Sequence, residues 1–398
     1  MADNADNKDK KVLNVPVLRF PEFTEEWKRI RVSDLLDFYS TNSLSWEQLE
    51  YESNEPYNLH YGLIHVGLPT LVDLTKDKLP SIKEENVPKK YELCKEGDVA
   101  FADASEDTNE VAKVVEFYNL DGKKVVCGLH TIHGRDNNKQ TAKGFLGYCF
   151  SSTVFHNQIR RIAQGTKIYS INTRNFSEVF VGLPSKSEQH KIATLLRLID
   201  EHISTQNKII EKLETLIKGI RDYVLNNKLQ NITKKKLGEL CTITTGKLDA
   251  NAMKSEGLYP FFTCAEEVYR IDSFAFDTEA LLVSGNGANL GYIHYYKGKF
   301  NAYQRTYVLS NFIEDIHYIQ IYLEAYLHKR IALEKSTSNT PYIVLATLAE
   351  MPIIIPNIKI QKDISNKILI LKSKLITEIH IRNCYKDMRQ FLLSQMFI

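Results

Sequence analysis

The sequence has 398 residues, 25% charged and 43% hydrophobic, with 51 Lys and Arg against 49 Asp and Glu. That length supplies two or three domains with ample core, and the composition excludes wholesale disorder. With no run of about 18 consecutive apolar residues there is no conventional membrane span, and a net charge of +2 excludes a simple DNA-coating polycation.

The elements follow in chain order. Residues 1–14 are polar, lack the apolar core of a secretory leader and read as a flexible N-terminus. A first globular stretch, 15–185, has strand patterns at Val99 to Ala102, Val111 to Phe117, Val125 to Cys127 and Phe145 to Phe150. A long helix is expected over 186–230. Its apolar residues Ile192, Leu196, Ile199, Ile203, Ile210, Leu213, Ile217 and Ile220 fall on alternating steps of four and three, interrupted by Gln206. The basic run Lys234-Lys-Lys236 opens a second globular stretch, 231–357. It has strand patterns at Ala280 to Ser284, Gly291 to Tyr296 and Thr306 to Leu309, then a helix from Asp315 to Leu333. A second long helix spans 358–398, with Ile364, Ile368, Leu371, Leu375, Ile381 and Met388 on its seam and Glu378 intruding. Apolar heptads sustained this far predict a coiled coil rather than helices packed separately on two cores.

The chain is a tandem duplication. Glu178-Val-Phe-Val-Gly-Leu-Pro184 aligns with Glu350-Met-Pro-Ile-Ile-Ile-Pro356, Gln189 with Gln361, and Lys218-x-x-Arg221 with Lys386-x-x-Arg389. The fold class expected is α+β: two mixed α/β globules, each followed by one long helix.

Catalytic patterns are superficial. Gly285-Asn-Gly287 follows a strand, but an aromatic strand-turn-strand pattern comes next, where a nucleotide site needs a helix N-terminus. Asn54-Glu-Pro-Tyr57 and Asn339-Thr-Pro-Tyr342 resemble the Asn-Pro-Pro-Tyr loop of amino-group DNA methyltransferases but lack its first proline, and they read as proline turns. The six cysteines form no Cys-x-x-Cys pair, which argues against a disulfide framework and for a reducing cytoplasm. Cys127, His130 and His133 have no second ligand cluster nearby in sequence, so no metal site is expected. No Gly-x4-Gly-Lys-Ser/Thr loop or serine nucleophile elbow is present.

Charge and hydrogen-bonding chemistry remain. The segments 186–236 and 355–398 each carry a net charge of +5, which leaves −8 for the rest of the chain. Such a balance is awkward for a lone DNA binder and tolerable for one whose partner subunits supply part of the electrostatic grip. Arg135, Asn137, Asn138, Lys139 and Gln140 in the first globule, and Asn286, Asn289, Tyr303, Gln304 and Arg305 in the second, could hydrogen-bond base edges. Arginine suits guanine, and asparagine or glutamine suits adenine.

The whole pattern resembles the specificity (S) subunits of type I restriction–modification enzymes. The likeness rests on Val15-Pro-Val-Leu-Arg-Phe-Pro-Glu-Phe with Trp27, on Leu183-Pro-Ser-Lys-Ser-Glu-Gln-His-Lys-Ile192, on Gly97-Asp-Val-Ala-Phe101, and on Gly298-x-Phe300-x-Ala302-x-x-Arg305-Thr-Tyr-Val-Leu309. It covers residues 15–398. The second copy departs where Ile360-Gln361 replaces Glu-Gln and Asp363 replaces the Lys. The resemblance implies two target-recognition domains, 15–185 and 231–357, each reading half of a split double-stranded DNA target. It also implies that the two helices pair antiparallel with pseudo-twofold symmetry, set the spacer and dock two methyltransferase subunits. Restriction/translocase subunits would join them, with S-adenosylmethionine, Mg²⁺ and ATP on the partners and neither cofactor nor catalysis in this chain. Two rival readings are a DNA methyltransferase or nuclease with its own site, which would bind S-adenosylmethionine alone if a methyltransferase, and a coiled-coil scaffold that binds no DNA.

Overall fold

A computed structural model of the chain describes residues 14–51, 55–225, 232–333 and 342–398. The chain divides into two compact units: Met1–Gln206 with Ile381–Ile398, and Asn207–His380. Both long helices, Lys186–Leu225 and Ile358–Gln395, contribute to both units.

In the first unit, a five-stranded sheet runs in the order Asp37–Tyr39, Thr131–Arg135, Val99–Ala102, Val114–Asn119, Leu71–Asp73. Only its last pair is parallel. Strand alternation divides its side chains between two cores. Val99, Phe101 and Val114 join Phe145, Phe150, Phe155 and Phe176 on one face, while Ala100, Ala102, Val115 and Phe117 join Leu59, Val125 and Cys127 on the other. The second unit repeats the device in a six-stranded sheet. Along Phe276–Ser284, Leu281 and Val283 face the core of the helix Ile316–Leu333, and Ala280 and Leu282 face a smaller core with Phe262 and Phe300.

The duplication reaches further than the sequence landmarks. Each unit starts its globule with a strand paired antiparallel to the strand that leads into a long helix: Lys28–Arg31 with Phe180–Leu183, and Thr233–Lys236 with Pro352–Ile355. A four-residue helix follows each first strand, Val32–Leu35 and Leu237–Leu240. Even the ion pairs correspond, Arg31 with Glu178 and Lys236 with Glu350.

The aligned glutamines perform the same task at the start of each long helix. Gln189 Nε2 donates to the Pro184 carbonyl (2.9 Å), and its Oε1 accepts the N–H of Ala142 (2.7 Å). Gln361 Nε2 donates to the Pro356 carbonyl (2.8 Å), and its Oε1 accepts the N–H of Asp315 (3.1 Å). Both are fully buried, so each satisfies main-chain groups that water cannot reach. The departures between copies also find their reason. Glu188 forms a bidentate pair with Arg19 of the N-terminal segment (2.7 and 2.8 Å), whereas Ile360 at the matching position packs on the second unit's apolar core. Lys191 pairs with Glu22, while Asp363 pairs one turn along its own helix with Lys367.

Within the first unit the helices pair antiparallel. Asp200 meets Arg389 and His202 stacks on Tyr385, so numbers rise on one helix as they fall on the other. Ile192, Leu196 and Ile199 share a core with Leu392, Leu393 and Met396. In the second unit, Ile217 and Ile220 pack on the core that contains Ile364 and Ile368. Ile210 and Leu213 are buried, and Ile203, Leu371, Leu375 and Ile381 half-buried. Met388 departs from the expected seam: it is 49% exposed, because the next residue, Arg389, turns inward to Asp200.

A second correction concerns Phe145–Phe150, which is a helix and not a strand. An apolar run buried on every side satisfies either period equally. Its N-terminus is fixed by Gly144, at φ +88, and by the buried Glu116 carboxylate, which accepts the N–H groups of Gly144 and Gly147. Two strands start later than expected. Ala112 (φ +59) and Gly291 (φ +83) make turns, so the strands begin at Val114 and Ile293.

Candidate nucleic-acid interface

In the first unit the candidate residues follow the strand Thr131–Arg135. Arg135 is buried at its end, and its donors are committed: to Asp98 through Nε and NH2, to Glu92 (2.7 Å) and to the Leu93 carbonyl (2.7 Å). Burial pushes the Asp98 carboxyl up, but bonds from His133 and Arg135 outweigh it and hold the pKa below the ordinary value. Beyond Arg135 the chain makes a compact loop. Asp136 Oδ2 accepts both the N–H and the hydroxyl of Thr141 (2.8 and 2.7 Å), and Lys139 takes a left-handed conformation, φ +54. Asn137, Asn138 and Lys139 are exposed and Gln140 half-buried. Asn137 Nδ2 donates to Asp37 and to the Tyr39 hydroxyl (2.6 and 2.7 Å), which fixes its amide. Gln189 pins the far end of the loop to the long helix through Ala142 and the Gln140 carbonyl.

This loop borders a cleft of about 510 Å³. Lys95, Lys139, Lys143, Lys186 and His190 line it together with Glu96, Asp98, Glu116 and Asp136. All four lysines and His190 are exposed. Only Lys139 among these basic groups stands out in the sequence. The others come from three separate segments, and no local spacing signals their convergence.

In the second unit the structure joins the two remaining candidate sets. The Gly285 N–H donates to the Arg305 carbonyl (2.9 Å), and the Gly285 carbonyl accepts from Ile343 (2.8 Å). A Cβ at Gly285 would stand 2.3 Å from the Arg305 oxygen, so the close approach requires glycine. Gln304 donates its N–H to Leu248 (2.9 Å), and Asn286 bridges to Tyr342. Asn286, Asn289 and Tyr303 are half-buried there, while Gln304, Arg305 and the neighbouring Lys247 are exposed. The strand Ile293–Ala302, not a helix, follows the Gly285-x-Gly287 turn, as expected for a strand-turn-strand. Asn54 and Asn339 lie outside the described residues.

The structure brings a further candidate ligand beside Cys127. Cys94, far from Cys127 in sequence, lies beside it because its N–H bonds to the Val125 carbonyl (2.8 Å) and draws the segment onto the strand Val125–Cys127. Cys94, Cys127 and His133 place their ligand atoms within 4.8 Å of one another, all three buried. Among the described residues, no helix is long and apolar enough to cross a membrane.

Comparison with known proteins agrees with this geometry. A family model described as the type I restriction modification DNA specificity domain matches residues 24–215 and again 230–382. The type I restriction enzyme EcoDI specificity subunit of Escherichia coli is 43% identical over 132 residues, 33% of this chain and 29% of that protein. The MjaIX specificity subunit of Methanocaldococcus jannaschii is 24% identical over 294 residues, 63% of this chain and 67% of the relative. The crystal structure of a type I restriction–modification S subunit from M. genitalium shares the fold at a TM-score of 0.67 and 18% identity, covering 96% of this chain and 99% of that one. A chain from a structure on complex assembly and conformational transition of the type I R-M system gives a TM-score of 0.52 at 16% identity, covering 92% and 96%. Matched in both of its copies, the chain belongs to the type I restriction–modification DNA specificity family.

Proposed function

We propose that this chain is the DNA sequence-recognition subunit of a type I restriction–modification complex, each globule reading one half of a bipartite target. The observation that carries this reading is the duplication itself. Two globules of one plan each precede a long helix, and each presents hydrogen-bonding groups on a held segment: the first a loop tied to Gln189, the second a turn tied through Gly285 to Arg305 and Ile343. Two copies of one reader suit two half-sites, as in dimeric DNA-binding proteins.

In this reading the exposed Asn138, Lys139, Gln304 and Arg305 face DNA, with Asn137, Gln140, Asn286, Asn289 and Tyr303 beside them. The lysines of the cleft, Lys95, Lys143 and Lys186, hold phosphates. Arg135 serves the fold instead, since its guanidinium is spent on Asp98 and Glu92. The helices set the spacer and dock two methyltransferase subunits. Methyl transfer and ATP-dependent cleavage, with S-adenosylmethionine, Mg²⁺ and ATP, belong to those subunits and to restriction/translocase partners in the cytoplasm.

The test is methylation sequencing of a host that carries the chain and its modification subunits. A split motif that disappears when the chain is deleted is the expected result. Methyl transfer by the purified chain alone, or an unchanged methylome after deletion, would overturn the proposal.

A further inference from the structure

The buried cysteine–histidine cluster beneath the first recognition loop has a specific geometry. Cys94 Sγ lies 3.5 Å from Cys127 Sγ. A disulfide needs about 2.05 Å, whereas two thiolates on one tetrahedral zinc, with Zn–S of about 2.3 Å, stand about 3.8 Å apart. A ring nitrogen of His133 completes a triangle within 4.8 Å. The His133 side chain is wholly buried, its Nε2 lies 2.7 Å from Asp98 Oδ2, and its Nδ1 has no hydrogen-bond partner. Metal-bound histidines characteristically give their other ring nitrogen to a carboxylate in this way. With Nε2 held by Asp98, Nδ1 is the nitrogen left for a metal.

We infer that Cys94, Cys127 and His133 bind a borderline-soft divalent cation, best matched by zinc, that clips the segment before the strand Val99–Ala102 to the strands beneath the recognition loop. The ligand chemistry favours zinc over calcium or magnesium, which take oxygen donors. Charge balance favours it too. Two thiolates neutralise the ion, as suits a site bordered by Leu59, Phe117 and Val125, while Asp98 is already answered by Arg135. Three protein ligands leave a fourth position for water. The three ligands come from separate segments, so the ion would act as a crosslink. Cys94 sits next to Leu93, whose carbonyl holds Arg135, and His133 precedes Arg135 by two residues on its strand. The clip therefore fixes the base from which residues 136–141 project.

The test uses the full chain, purified under reducing conditions without chelator, and needs no DNA. Elemental analysis should find near-stoichiometric zinc, and cobalt(II) in its place should give a thiolate-to-metal charge-transfer band. Cys94→Ser and Cys127→Ser should each lower zinc retention at least about tenfold, while the exposed Cys384→Ser keeps it. Cobalt titration of the unaltered chain remains decisive if a variant fails to fold. A chain that takes up no zinc and gives no thiolate band would overturn the inference. So would serine variants that keep their zinc, or a Cys94–Cys127 disulfide recovered from reduced preparations.

Discussion

Arg389, near the end of the last helix, places its Nε 2.6 Å from Asp200 Oδ1 on the first long helix. The Tyr148 hydroxyl donates to the other oxygen of Asp200 (2.9 Å), and Arg389 also reaches the Thr70 hydroxyl (2.8 Å). The pair thus ties both helices to two parts of the first globule. Its side chains are 23% and 24% exposed, screened less than a surface ion pair but not dry. A double-mutant cycle of Arg389→Ala and Asp200→Ala, read by urea denaturation, should give a coupling of about 1–2 kcal/mol. A coupling near zero would show that solvent already screens the pair.

Glu116 should make stability depend on pH. Burial pushes its carboxyl up to about 7, although two main-chain N–H groups donate to it. A carboxyl with a folded pKa above its unfolded value binds more protons folded than unfolded between those values. Its contribution to stability therefore falls as pH rises from about 4.5 to about 7. Glu116→Gln removes the titration but leaves a fixed cost, because a carboxamide accepts at only one atom. Between about pH 5 and pH 8 the melting temperature of the variant should gain steadily on the wild type. A constant difference across that range would mean that Glu116 ionises at an ordinary pKa.

Periodicity carries the long helices, because a seam of apolar residues spaced by four and three has one geometric solution, and the duplication is legible in aligned landmarks such as Gln189 with Gln361. It failed at Phe145–Phe150, where every side chain is buried and neither period is visible. It also slipped at Met388, where a charged residue outcompetes an apolar one for the inner position because Asp200 waits there. The repeat at the start of each globule was present as Arg31-Val-Ser-Asp-Leu35 and Lys236-Leu-Gly-Glu-Leu240, too short to stand out without the strand pairing that gives it meaning. The lysine cleft and the Cys94–Cys127–His133 cluster are legible only in part, through Lys139 and through Cys127 with His133. Their other members come from distant segments that the tertiary fold brings together, as the bond from Cys94 to Val125 does.

Phosphate and base contacts should separate by their salt and sequence dependence. Lys139→Ala, Lys143→Ala and Lys186→Ala, measured in the assembled complex, should weaken binding to all sequences alike. Each should reduce the salt slope by about one if its lysine neutralises one phosphate. Arg305→Ala should instead lose about 1–3 kcal/mol of discrimination at one position of one half-site, as expected for a bidentate base contact. Uniform loss for Arg305→Ala would move it to the phosphate set. Arg135→Ala should act differently from all of these: it leaves Asp98 buried without its guanidinium and should lower the melting temperature of the chain.

The last prediction concerns the helices as a ruler. Each half-site can be read in the same complex only if the globules match the separation of the half-sites on DNA. Both long helices contribute residues to both compact units, and in the proposed reading their length sets the separation of the half-sites. Inserting one heptad into each helix at matched seam positions keeps the apolar spacing and adds roughly 10 Å of helix. At 3.4 Å per base pair this corresponds to about three more base pairs of spacer, provided that the added length runs along the DNA. Rotation of one globule against the other could shift the favoured spacing by about one pair. The half-site sequences should stay as they were, since the insertion touches neither the 136–141 loop nor the turns at Gly285 and Arg305. Methylation sequencing of the lengthened, assembled complex reads both quantities at once. An unchanged spacer would remove the helices from the measurement of distance, and altered half-sites would show that the globules do not read independently.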